Sequence, residues 1–267
     1  MKDIVRQIVN VLATLLLIAL NILANALPLN GLNTGAISDQ FKVYFVPAGY
    51  VFVVIWGVIY LALIGFAIYQ ALPKQRRNPY LRRIGYLYAL SCLANVAWLF
   101  LWHYGFFALT VVVMVVLLLL LIAIYLRLEI GRTRVSAAET WLVRIPFSLY
   151  LGWITVATIA NVTELLYYWN WGGWGIDPKV WAAIMLVAGA LIASAVGVAR
   201  RDVAYVLVIV WAFAGIVVKQ SATPLVAITA GLMAGVVVLA LLMGLLLGGE
   251  RPQRVASAPD VGVRDRW

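Results

Sequence analysis

The sequence predicts an all-α fold, a polytopic transmembrane helical bundle, and three observations carry that prediction. Apolar residues make up 65% of the chain and charged ones 11%, which is more apolar surface than a water-soluble domain of this size can hide. The apolar residues gather in eight runs, about 8–27, 48–72, 84–102, 106–126, 142–165, 180–198, 203–218 and 225–247. Most of these approach the roughly 20 residues a helix needs to cross the hydrocarbon core. The third observation is where the charges fall. With the N-terminus in the cytoplasm, all of the 20 basic residues except Lys42, Lys179 and Lys219 lie on the cytoplasmic side of eight crossings, as the positive-inside rule requires. This predicts a multi-pass cell-membrane protein with both termini cytoplasmic. It also explains the net charge of +10 as topology, so nucleic acid is not an expected partner. The single Cys92 lies in an apolar run, which excludes a disulfide framework.

Taken in order, the first run follows a basic start and reaches Ala24-Asn25-Ala26, a spacing of small residues that a signal peptidase can read. We read it as a retained helix. Its apolar stretch is long for a signal sequence, and Asn21 and Asn25, four apart, set two amides on one face turned toward a bundle. The external loop at 28–46 carries Asn30-Gly31 and Thr34-Gly35 as turn signals, with Asp39 and Lys42 as its charges. Its length suits a lid as well as a plain connector.

The second run holds the strongest pattern. Phe52, Trp56 and Tyr60 recur at i, i+4 and i+8, so three rings share one helix face. Trp56 lies about 12 Å in from the outer end at 1.5 Å per residue, deeper than the interfacial belt where Trp and Tyr usually gather. In the third run Asn95, Trp98 and Trp102 fall at i, i+3 and i+7 and bring an amide that needs a partner in hydrocarbon. The fifth run places Tyr150, Trp153, Ala157 and Asn161 at i, i+3, i+7 and i+11. Any one stripe reads as interhelical packing. Three together point to a shared cavity.

Other chemistry is sparse. His103, the single histidine, reads as an interfacial hydrogen-bonded side chain before it reads as a haem ligand. Lys219 reads as a snorkelling lysine. Glu164, one turn past Asn161, either bonds a pocket group or faces water. The sequence contains no phosphate-cradling glycine loop, metal-ligand cluster or nucleophile triad, so no catalytic residue and no metal site is assigned. In the last third, Trp169, Trp171 and Trp174 form an external aromatic loop that reads as an interface anchor. Gly189, Ala193 and Gly197, then Gly231 with Gly235 and Gly244 with Gly248, are spaced four apart. Small residues so spaced let helices pack closely on one another, on the preceding helices, or across a homodimer.

Three of these stripes resemble the TspO/MBR family, the tryptophan-rich sensory and translocator proteins. The family's second-helix pattern is similar to Pro47, Tyr50-Val51-Phe52, Trp56 and Ile59-Tyr60. Its third-helix pattern resembles Asn95, Trp98 and Phe100, and its fifth-helix pattern resembles Tyr150-Leu151-Gly152-Trp153, Ala157-Thr158 and Asn161. The matches keep family order and spacing over residues 1–170. Departures occur at Val54-Ile55, at Val96, and at Trp102-His103, and these reshape a pocket wall. The resemblance implies a five-helix core over 1–170 with a ligand pocket capped by the first loop. Outside it, the apolar runs predict an additional three-helix region over 171–248, and composition predicts a charged, disordered cytoplasmic tail over 249–267.

The resemblance further implies a receptor, sensor or carrier for an apolar aromatic ligand, with a tetrapyrrole such as porphyrin or haem as the expected bound molecule and no cofactor required. Tyr50, Phe52, Trp56, Tyr60, Asn95, Trp98, Trp102, Tyr150, Trp153, Ala157 and Asn161 are the expected ligand-binding residues. Porphyrin degradation is the enzymatic alternative, and a structural subunit of a larger membrane complex is the alternative from a third class.

Overall fold

A computed structural model describes residues 1–27 and 29–249. The apolar runs become eight helices, here α1 (Lys2–Ala26), α2 (Gly49–Ala71), α3 (Leu87–His103), α4 (Phe107–Arg127), α5 (Ile145–Tyr168), α6 (Pro178–Arg200), α7 (Val203–Lys219) and α8 (Pro224–Leu247). Six of the spans are long and apolar enough to cross a membrane, and α3 and α7, at 17 residues each, are shorter. At 1.5 Å per residue those two reach about 25 Å, a shortfall that packing among longer neighbours accommodates. The protein is a multi-pass membrane protein built as a helical bundle. Of the tail expected over 249–267, only Gly249 lies within the described residues.

Helix ends follow local chemistry. Pro178 and Pro224 sit in the first turns of α6 and α8, where a missing N–H costs nothing. Asp177 and Asp202 cap α6 and α7 by accepting from the backbone N–H groups of Lys179 and Tyr205. Before α5 the chain makes a π-helical turn at Thr140–Arg144, so helical structure begins at Ala137, earlier than the apolar run alone indicates. Arg144 in that turn is buried because its guanidinium bonds Thr133 and lies over the Tyr80 ring.

Helices α1, α2, α5, α4 and α3 close into a ring, each packed on the next, and α5 is the most buried of them. Helix α7 packs on the outside of α5 and α2, and α6 and α8 pair with each other and with α7. Gly152 permits the α5–α7 approach, since a Cβ there would sit 3.0 Å from the Tyr205 carbonyl. Trp211 of α7 donates its indole N–H to the Val51 carbonyl at the start of α2. The late helices thus share a continuous core with the first five.

The two ends of the bundle differ. One gathers the arginines: Arg82 pairs with Asp3, Arg83 with Glu129 at 3.0 Å, Arg6 donates to the Arg76 carbonyl and Arg200 to that of Ile130. At the other end Lys219 reaches Asp39 at 3.4 Å. The same end carries a cluster of Trp171, Trp174 and Trp181, with Trp174 80% exposed. Separation of this kind is what the uneven basic residues of the sequence require.

Candidate functional site

A buried polar ladder fixes the rotation of the ring helices. Asn21 of α1 donates to Asn95 Oδ1 of α3 at 3.0 Å, and Asn95 Nδ2 donates to the Tyr150 hydroxyl of α5 at 3.0 Å. Three helices are therefore tied at one level in hydrocarbon, where an unpartnered amide is costly. Asn21 thereby ties α1 to α3. One turn toward the loop end, Trp98 Nε1 donates to Asn161 Oδ1 at 3.2 Å, and Asn161 Nδ2 donates to Thr110 Oγ1 at 3.1 Å.

Above these ties lies a narrow cavity of about 30 Å³, room for roughly two water molecules. Phe52 and Trp56 line it from α2, Trp98 and Trp102 from α3, and Met114 from α4. Trp153, Ala157, Ala160, Asn161 and Glu164 come from α5, and Thr34, Ser38 and Val46 close it from the first loop. Trp98 and Trp102 lie nearly parallel, 5.5 Å apart at 15°, while Phe52 meets Trp153 edge to face at 4.9 Å. Offset stacks and edge-to-face pairs are the favoured aromatic arrangements, so these rings stand firm without a ligand.

The first loop is docked as a lid. A short helix at Thr34–Ser38, capped by Asn33, lies over the opening. Ser38 donates to Glu164 Oε1, and Trp102 Nε1 donates to the Thr34 carbonyl at 3.2 Å. Phe41 packs on Trp102 and Phe107. His103 is buried beneath the loop, with Nδ1 3.1 Å from the Leu29 carbonyl and Nε2 3.1 Å from the Thr34 hydroxyl. A carbonyl only accepts, so Nδ1 carries hydrogen. Both ring nitrogens are hydrogen-bonded to the first loop.

Of the residues expected at the site, Phe52, Trp56, Trp98, Trp102, Trp153, Ala157 and Asn161 line one cavity. The other four lie elsewhere. Tyr50 is 52% exposed and faces Trp211 of α7 at 6.5 Å, because its side chain lies on the α7 side of α2. Tyr60 stacks on Trp56 at 5.2 Å from the turn below, behind the wall. Asn95 and Tyr150 form the ladder under the cavity, hydrogen-bonded to each other and, through Asn95, to Asn21.

Sequence reasoning did not assign Thr34, Ser38, Val46, Met114, Ala160 or Glu164 to the wall. Glu164 had a legible signal, since it follows Trp153, Ala157 and Asn161 at i+11, i+7 and i+3, the same face of α5. The loop residues had none, because an irregular loop carries no periodicity. One fully buried polar atom of the wall lacks a partner. Trp153 Nε1 is buried without a hydrogen-bond partner among the described residues.

A ring of five membrane helices, with an aromatic cavity inside it and a loop docked across one end, defines a polytopic membrane protein with an enclosed interior site. The chain belongs to the TSPO-like family, whose model matches residues 7–243. That match runs past residue 170, where the motif resemblance stops, and takes in most of the three late helices. No curated protein and no solved structure matches the chain.

Proposed function

We propose that this protein is a membrane receptor or carrier that binds a flat apolar aromatic ligand in the cavity between α2, α3 and α5. The observation that carries this reading is the unpartnered indole N–H of Trp153, buried in a wall of four further aromatic rings. A buried donor without an acceptor costs about 1–3 kcal/mol, and a ligand acceptor removes that cost. A wall of indoles suits a planar ring, which gains stacking on faces already held in place. A tetrapyrrole is the ligand that membership of the family suggests. It is many times larger than the cavity, so its entry requires the Thr34–Ser38 lid to lift, and hydrogen bonds to two loop residues, Thr34 and Ser38, are what hold the lid at Trp102, His103 and Glu164. We place the arginine-rich end in the cytoplasm, which opens the lid to the outer side of a cell membrane.

The test is a titration of protoporphyrin into the purified protein in nanodiscs, following tryptophan fluorescence and porphyrin absorbance. Saturable quenching with pigment recovered unchanged supports binding, and a new absorbing product that accumulates with turnover identifies degradation instead. Absence of saturable binding by protoporphyrin and by smaller planar aromatics refutes the reading.

A further inference from the structure

Two consecutive residues of the lid are tied to two different helices. Ser38 donates to Glu164 of α5, and Asp39 meets Lys219 of α7 at 3.4 Å. Successive Cα atoms are only about 3.8 Å apart, so the Lys219 ammonium stands at the rim of the cavity, beside the carboxyl of its wall. It is close enough to act electrostatically on Glu164 as well as to pair with Asp39. The Lys219 side chain is 28% exposed and that of Asp39 66%, so the cation belongs to the packed body of the protein and its partner to the loop that must lift. Two contacts fix where the cation stands. The Gly215 carbonyl, one turn earlier in α7, accepts from the Ala48 N–H just before α2, and a Cβ on Gly215 would lie 2.6 Å from Val51 Cγ2.

We infer that the cavity selects a planar aromatic ligand that carries a carboxylate, with Lys219 holding that group at the rim in the place Asp39 now occupies. The inference rests on the cavity being a ligand site. A cavity of about 30 Å³ admits no ring until the lid lifts, and lifting takes Asp39 away from Lys219. An ammonium left at the edge of hydrocarbon without a counter-charge is costly. A ligand carboxylate removes that cost while its rings enter among Trp56, Trp98, Trp102 and Trp153. The acid group then stays at the wet end of the site and the apolar body lies within it. Because Lys219 also acts on Glu164, a carboxylate brought beside Glu164 finds a cation already in place. A neutral ligand breaks the Asp39 pair and returns nothing to Lys219, and an ammonium meets like charge there. A tetrapyrrole with carboxylate side chains meets both requirements. Lys219 lies outside the five ring helices, so this selection is a contribution of α7.

Protoporphyrin and its dimethyl ester share one ring system and differ in their carboxylates. Each is titrated into the full chain in phosphatidylcholine nanodiscs, with empty nanodiscs subtracted, and followed by tryptophan fluorescence. The quantity read is the ratio of acid to ester affinity. The cost of lifting the lid cancels within that ratio, and partition into lipid cancels when the ratios of two variants are compared. Lys219→Gln should lower the ratio about fivefold or more, a loss between the worth of an exposed ion pair and that of a buried one. Lys219→Arg, which keeps the charge, should hold the ratio within about twofold of the original. Asp39→Asn, which releases the lid from an intact Lys219, should tighten both ligands and leave the ratio within the same limits. Saturable binding of the ester shows that a variant is folded. A smaller fall with Lys219→Gln, or an equal fall with Lys219→Arg or Asp39→Asn, overturns the inference and leaves the ligand site standing. If neither porphyrin binds, the inference falls, and binding of smaller planar aromatics decides whether the reading of the cavity falls with it.

Discussion

Replacing Gly244 by alanine should loosen the α6–α8 pair, and the size of the effect follows from the backbone it would strike. A Cβ on Gly244 would lie 2.6 Å from the Gly197 carbonyl oxygen and 2.8 Å from Val198 Cα. Both are backbone atoms in the last turn of α6, packed against α8, so neither can rotate away as a side chain could, and the helices must part by some tenths of an ångström. A gap of about 0.5–1 Å forfeits a quarter to a half of each contact's dispersion energy, and overpacking of this kind costs about 1–3 kcal/mol. Gly235 on the same helix is the control, because a Cβ there meets nothing within 4 Å. Alanine raises helix propensity by about 0.5–1 kcal/mol at either position, so that gain cancels when the variants are compared. Gly235→Ala should therefore be neutral or slightly stabilising, and Gly244→Ala should unfold several degrees lower. Thermal unfolding of the purified variants in one detergent, read by size-exclusion recovery, measures the difference. A Gly244→Ala protein that melts with or above Gly235→Ala would show that α6 and α8 do not approach as described.

Three further outcomes are expected. Trp153→Ala should weaken porphyrin binding by at least about 1 kcal/mol, the scale of an aromatic pair contact, whereas Trp174→Ala, 80% exposed in the outer loop, should change it little; equal losses at the two positions would remove the cavity as the site. A chain stopped near residue 175 keeps every cavity-lining residue but loses the α7 contacts at Gly152 and Val51. It should bind ligand with a lower unfolding temperature, and retained stability with no binding would move the site into the late helices. A reporter fused after Trp267 should be active in the cytoplasm, and activity only on the other side of the membrane would invert the topology.

Much of this architecture was decided along one dimension. Lipid contact demands long apolar segments with all backbone groups bonded internally, so the eight helices could be placed from apolar runs. The uneven arginines likewise separated the two ends. Helical periodicity put Phe52 with Trp56, Trp98 with Trp102, and Trp153 with Asn161 on shared faces, and these side chains do line one cavity. Periodicity stops short of saying how far a face extends before a neighbour intervenes. Tyr50 and Tyr60 continue the α2 stripe, yet one meets Trp211 of α7 and the other lies behind Trp56. Asn95 shares a face with Trp98 but is consumed by Asn21 and Tyr150. The fates of Tyr50 and Asn95 depend on residues more than 50 positions away in sequence, and that of Tyr60 on the rotation that packing gives its helix. The lid is the clearest case. Nothing within residues 29–46 specifies that Ser38 meets Glu164 or that Thr34 covers Trp102, because the loop's placement is set by hydrogen-bonding groups and rings that come together only when five separate helices close into a ring.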